Sequence, residues 1–184
     1  PFGACPCCTG LGFKSEFDPE LMIPDKSLSL NQGAISVIGW QSSGDKKSYS
    51  HACLEALSRD YNFSLDTPFQ ELSKEARDVI LYGTGGKKIY VTYEGSRGQS
   101  EYLVNFEGLI KNVQRRYKET SAETIKQEYE EFMTIVPCEE CKGRRLKPES
   151  LAVTVGDINI AQAAELSIVK LRDYLEGLKL SERQ

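Results

Sequence analysis

Four of the six cysteines in this chain stand in two C-x-x-C pairs, and that spacing is where its chemistry is most legible. Cys5 and Cys8 sit in GACPCCTGLG, and Cys138 and Cys141 sit in PCEECKGRRLKPE. In both, a glycine follows two residues after the second cysteine: Gly10 and Gly143. Two intervening residues let a tight turn aim both sulfurs at one ion, while backbone amides moderate their charge. Two such knuckles fill a tetrahedral sphere with thiolates and leave no position for water, the pattern of a structural zinc. Three other uses stay open. Cys5 and Cys8 could be completed by a further C-x-x-C upstream of Pro1, the pairs could be disulfides, or one pair could be a redox dithiol. The lack of a secretory signal speaks against disulfides, and neither pair stands at the strand-to-helix turn of a βαβ unit that a thioredoxin-like dithiol needs. Cys7 reads as a free thiol, and Cys53, on an apolar helical face, as core.

A second set of residues is basic. In NVQRRYKET, Lys111, Arg115 and Lys118 fall near one side of a helix, with Arg116 and Tyr117 adjoining. Lys142, Arg144, Arg145 and Lys147 follow the second knuckle. Such groups can track a phosphate backbone, and a tyrosine among them can pack on sugar or base. Glu119, Glu139 and Glu140 dilute both patches, and a solvated charged face is the plainer alternative. The net charge of −4 gives no long-range attraction to phosphate, so any nucleic-acid contact must be local. Other motifs do not close. GTGGKK lacks the P-loop glycine, since position 81 is Leu81, and the residue after Lys87 is Lys88 rather than Ser or Thr. His51, the only histidine, has no nucleophile motif around it and reads as structural.

The elements that must position these groups are mixed. Residues 17–33 read as loop and turn, and AISVIGW (34–40) as a short strand. A helix is expected over about 49–61, and another after the N-cap Ser73, stopped by Gly83. KKIYVTYE and EYLVNF form a hairpin with Ile89, Val91 and Tyr93 on one face. Phe106, Leu109, Ile110, Val113 and Tyr117 share a helical face. Thr120 and Glu123 have the form of a capping box for a helix that Pro137 stops. Two short strands flank Gly156-Asp157, and Ser167 caps a last helix, with Leu166 and Leu171 placed as a hydrophobic staple. The class is α+β: mixed helices and short antiparallel hairpins inserted into a four-cysteine zinc module. With 184 residues, 40% of them hydrophobic, the chain can bury a core, and no apolar run reaches the length of a membrane span. Starting at Pro1 without methionine, it is expected to be a piece of something longer.

PFGACPCCTGLG, LDTPF, ILYGTG, FEGLIKNVQRRYKET and PCEECKGRRLKPESLAVTVGDINI, in this order, resemble the UvrA family, the ABC-type ATPase subunits of the bacterial excinuclease. The resemblance covers nearly the whole chain. It implies a first zinc knuckle in 1–16, an insertion domain in 17–136, and a second knuckle with a strand-and-helix part of the first signature domain in 137–184. It implies zinc at Cys5, Cys8, Cys138 and Cys141, and it places Arg115, Arg116, Tyr117 and Lys118 in the segment of the DNA-facing insertion domain; Lys111, Arg144 and Arg145 join the DNA-binding candidates from the basic patches. Double-stranded DNA is then the partner. UvrB binding, a homodimer, ATP binding and a bacterial cytoplasmic location belong to the parent protein. Walker A, the LSGGE signature and the Walker B acid are absent, so no ATPase activity is expected of this chain. The alternative is a zinc-stabilised module that docks on a partner subunit or on the rest of its own chain.

Overall fold

The structure is a computed structural model that describes residues 2–95 and 98–179. In chain order it contains β1 (Phe13–Phe17), α1 (Pro19–Met22), α2 (Tyr49–Asp60), α3 (Lys74–Tyr82), β2 (Lys88–Gly95), β3 (Gly98–Asn105), α4 (Leu109–Glu119), α5 (Glu123–Glu130), β4 (Met133–Pro137), α6 (Pro148–Leu151), β5 (Thr154–Val155), β6 (Ile158–Asn159), α7 (Ile160–Ala164) and α8 (Ile168–Gly177). The strands form two-stranded sheets, β1 with β4, β2 with β3 and β5 with β6, and the class is α+β. Two compact units result. A terminal unit comprises Pro1–Glu16 and Ile135–Gln184, and a central unit comprises Phe17–Thr134.

The central unit is built on apolar burial. Ile89 and Val91 alternate with exposed neighbours on β2, so one face of the β2–β3 hairpin enters the core. Helix α2 packs on β2 and against α3, and α4 packs against α3 and α5. Leu54 and Leu57 of α2, Ile80 of α3, and Leu109 and Val113 of α4 are fully buried. Each such side chain contributes about 1.5–3 kcal/mol. Ser48 accepts the His51 N–H at 3.0 Å and Ser73 accepts the Ala76 N–H at 3.1 Å, so both helices start on a hydroxyl cap. Where α3 ends and α4 begins, two glycines bring the backbones together. Gly83 has φ +90°, and a Cβ there would lie 2.5 Å from the Phe106 carbonyl oxygen. Gly108, the N-cap of α4, has φ +88°, and a Cβ there would lie 2.5 Å from Gly83 N.

Several expectations need correction. Residues 34–40 are not a strand. Ala34, Ile35 and Val37 are buried, but their segment is irregular: Ala34 N–H bonds to Ser29 O and Ser36 N–H to Met22 O, and Gly39 turns at φ +80°. Apolar composition reported burial here and not conformation. The capping box does not form, because α5 begins at Glu123 after Ala122, and Thr120 Oγ1 accepts only a long 3.4 Å bond from Ala122 N. The helix does not run to Pro137. It ends at Glu130, and the β-branched run Thr134-Ile135-Val136 extends as β4. β1 lies where the knuckle's end and a following loop were expected. The helix at 49–60, the α3 cap and stop, the β2–β3 hairpin, the β5–β6 pair and the Ser167 cap stand as read.

The glycine crossing yields a test. Gly83→Ala or Gly108→Ala is expected to cost at least about 2–3 kcal/mol in urea denaturation, because a methyl group meets backbone. Gly85→Ala, at φ +62° with open space around it, is expected to cost only about 1 kcal/mol.

Candidate metal centre and nucleic-acid interface

In the terminal unit the two knuckles share one backbone form. Leu11 N–H bonds to Cys8 O at 3.0 Å and Arg144 N–H to Cys141 O at 2.9 Å. Thr9 and Gly10 have φ +52° and +87°, and Lys142 and Gly143 have φ +50° and +86°. Each C-x-x-C is thus followed by a left-handed pair, of which the sequence announced only the glycine. Cross-bonds hold the knuckles together: Cys5 N–H to Arg145 O at 2.8 Å, Lys147 N–H to Gly3 O at 3.1 Å and Cys138 N–H to Gly12 O at 3.0 Å.

The result is a four-sulfur cage. Cys5, Cys8, Cys138 and Cys141 are at most 5% exposed, and their sulfurs all lie within 4.8 Å of one another. Cys5 Sγ is 4.0 Å from Cys138 Sγ, and Cys8 Sγ is 3.7 Å from Cys141 Sγ. A tetrahedral zinc–sulfur site with arms of about 2.3 Å has sulfur–sulfur edges of about 3.8 Å, so the cage fits a structural zinc. Disulfide sulfurs stand about 2.05 Å apart, and all six cysteines are free. The N–H groups of Cys141 and Glu140 pull Cys138 down to about 6. Burial pushes Cys141 up to about 11, with Cys8 and Cys138 alongside. Four thiolates this close repel one another, and a divalent cation relieves that. The Gly12 N–H reaches Cys8 Sγ at 3.2 Å, a bond of the kind that moderates metal-bound thiolates. Cys7 is exposed and outside the cage, and Cys53 is buried in the central unit, with burial raising its pKa.

The basic residues divide between the units. Arg144 and Arg145 are exposed in the terminal unit. The others lie on α4 in the central unit, and they are not equivalent. Arg115 bonds to Glu107 Oε1 at 3.0 and 3.2 Å and to Glu119 Oε2 at 2.9 Å. The Tyr117 hydroxyl donates to Glu130 at 2.6 Å, and its ring packs edge-on against Phe17 and Tyr129. Both are engaged in holding α4. Lys111 and Lys118 are exposed. Arg116 lies over Gly39 and, among the described residues, has no carboxylate within salt-bridge distance. Sequence reasoning missed the groups that anchor this helix. Trp40 Nε1 donates to Asn112 Oδ1 at 3.1 Å, and Asn112 Nδ2 donates to Glu107 at 2.8 Å. Burial works against the Glu107 carboxylate, but the bonds from Arg115 and Asn112 outweigh it and hold its pKa below the ordinary value. The spacing of Glu107, Asn112 and Arg115 in FEGLIKNVQRR was the available signal. His51 is buried with Nδ1 donating to Ser43 O at 2.8 Å, a structural role. The GTGGKK turn closes on itself through Thr84 Oγ1 to Lys87 O.

Fold and site together define a class: an α+β lobe set, in chain order, between the two halves of a four-cysteine module. The chain belongs to the UvrA DNA-binding domain family, whose sequence model matches residues 18–131. Among its relatives are the UvrABC system protein A of Listeria innocua (41% identical), of Mesorhizobium japonicum (45%) and of Bacillus subtilis (40%), each aligned over 100% of this chain. The chain spans 19%, about a fifth, of the length of these relatives. The crystal structure of UvrA2 from Deinococcus radiodurans shares the fold, with a TM-score of 0.63 at 23% identity, covering 96% of this chain and 22% of that one.

Two measurements follow. Elemental analysis of the purified chain is expected to find one zinc per molecule, and Cys138→Ser or chelation is expected to remove it and expose the terminal unit to proteolysis. Because the Glu107 pKa is lowered on folding, its contribution is present above about pH 4.3 and is lost as pH falls through the depressed value. Glu107→Gln is expected to remove about 0.5–1 kcal/mol of stability at neutral pH and to flatten the acid limb, read by Trp40 fluorescence in urea.

Proposed function

We propose that this chain is the zinc-stabilised DNA-handling segment of a UvrA-type subunit in nucleotide excision repair. The observation that carries this reading is the match of the UvrA DNA-binding domain family over residues 18–131. Zinc is held by Cys5, Cys8, Cys138 and Cys141 and is structural, since four thiolates leave no open coordination position. The functional division proposed is 1–16, 17–136 and 137–184. Duplex DNA is held through its phosphates by Lys111, Arg116 and Lys118, with Arg144 and Arg145 as further contacts, while Arg115 and Tyr117 fix the helix that presents them. Such contacts position a duplex without reading its bases, and shape and deformability then decide what is held. This chain performs no catalysis. ATP hydrolysis, homodimerisation and UvrB loading belong to the parent protein in the bacterial cytoplasm.

For the terminal unit a second reading has its own support. Ile168, Val169 and Leu175 of α8 are 89%, 58% and 56% exposed, which suits contact with protein, either a partner subunit or the rest of the same polypeptide. Salt-insensitive binding to a purified partner subunit, lost in Ile168→Ser, would favour it.

The DNA reading is tested by fluorescence anisotropy with a short duplex at several salt concentrations. Affinity is expected to fall steeply with salt. Each of Lys111→Ala, Arg116→Ala and Lys118→Ala that removes a phosphate contact should reduce the log–log slope by about 0.9. Binding that ignores salt, or that survives the triple substitution unchanged, would refute it.

A further inference from the structure

The central unit carries a cleft of about 380 Å³ beside α4, within the range of small-molecule sites. Its most buried lining is apolar and aromatic. Trp40 and Phe106 are 5% and 6% exposed and meet edge to face, with ring centroids 5.9 Å apart. Tyr49, 46% exposed, presents an aromatic ring on the open side and packs its edge against Tyr93 at 5.7 Å. The hydroxyls of Ser48 and Ser50, 3.0 Å apart at the start of α2, add polar groups to the lining.

Arg116 supplies the charge. Its guanidinium rests on Gly39, where any side chain would collide with it and where φ is +80°. The bare backbone of Gly39 leaves room for the arginine at the cleft wall. Glu107, which also lines the cleft, is not in contact with Arg116: Glu107 accepts from Asn112 and twice from Arg115, and Arg115 also takes Glu119. Two adjacent arginines therefore differ in kind. Arg115 is bonded to two carboxylates, and Arg116, among the described residues, makes no ion pair. A guanidinium binds phosphate oxygens through paired N–H donors, and the exposed ring of Tyr49 offers a flat surface on which a base can stack.

We propose that this cleft binds one nucleoside phosphate unit, its base against the exposed ring of Tyr49, beside the buried Trp40 and Phe106, and its phosphate on Arg116. Two sources share that chemistry, a free mononucleotide and a nucleotide displaced from its stack in a DNA strand. The second source rests on the DNA-binding reading, and the first does not.

Trp40 is the only tryptophan in the chain, so its emission reports this cleft directly. The zinc-loaded full chain is titrated with thymidine monophosphate, deoxyguanosine monophosphate, thymidine, inorganic phosphate, a fully paired duplex and the same duplex with a one-nucleotide bulge. Anisotropy on the two duplexes is recorded in parallel. A saturable change in Trp40 emission is expected with the mononucleotides, the bulged duplex or both, at concentrations where thymidine and phosphate alone have little effect. Arg116→Gln should weaken it at least tenfold, Arg116→Lys less, with the urea midpoint unchanged in both. A response to mononucleotides alone assigns the soluble source, and one to the bulged duplex alone assigns the displaced nucleotide. Trp40 silent to every ligand, or a response untouched by Arg116→Gln, overturns the proposal. If duplexes bind by anisotropy while Trp40 stays silent, the cleft proposal fails and the DNA reading stands. If mononucleotides fill the cleft and neither duplex binds, the DNA reading fails and the cleft stands.

Discussion

The terminal unit depends on the meeting of four sulfurs. Among its described residues, Cys5, Cys8, Cys138 and Cys141 are the only buried side chains. No apolar core backs them: α6, α7 and α8 contain no buried residue. Small domains that cannot bury enough apolar surface rely on disulfides or metals, and this unit has the second device in its geometry. A cage of free thiols is a poor core, because ionised sulfurs repel and protonated ones bond weakly. A divalent cation reverses both effects, and its binding energy is then folding energy. The cross-bonds between knuckles, the left-handed turns and the placement of Arg144 and Arg145 all follow from that cluster.

The central unit is held by a different force. Its core is a continuous set of aliphatic and aromatic side chains from Phe17 to Tyr129. What makes it more than a generic core is the corner where α3 meets the segment leading into α4. Gly83 and Gly108 allow the backbones to touch, and Glu107, between Phe106 and Gly108, ties Asn112 and Arg115. Through Asn112 the same network reaches Trp40, so the orientation of α4 and the lining of the adjacent cleft are set together. The charged helix reads as a basic patch in one dimension. In three, Arg115 is tied to Glu107 and Glu119, while Lys111 and Lys118 stand exposed.

That distinction marks how far the residues alone can be read. Hydroxyl caps at Ser73 and Ser167, the helical spacing of Cys53, Leu54 and Leu57, and the alternation of Ile89 and Val91 report local preferences, and they placed α3, α8, α2 and the β2–β3 hairpin. The C-x-x-C spacing pointed to a metal, because ligand geometry is local to each knuckle, though their convergence on one cage is a tertiary fact. Errors arose where tertiary context overrode local pattern. Ala34–Val37 is apolar because it is buried, and its backbone bonds go to Ser29 and Met22 rather than to a ladder. β1 and β4 pair with each other from the two sides of the central segment, far apart in sequence, so neither shows its partner locally. The Tyr117–Glu130 bond joins residues of two helices whose contact depends on packing, so composition could count the polar groups but not show which were already engaged.

The two sulfurs of each cross-pair stand 133 positions apart along the polypeptide. Fastening such distant points removes much of the freedom of a denatured chain, on the order of 5 kcal/mol for a loop of that length in polymer models, with slow logarithmic growth. While an ion keeps the knuckles fastened, the central unit melts into a ring and not into an open strand. With an ion bound, its resistance to unfolding would draw on a cross-link that touches none of its own hydrophobic interior.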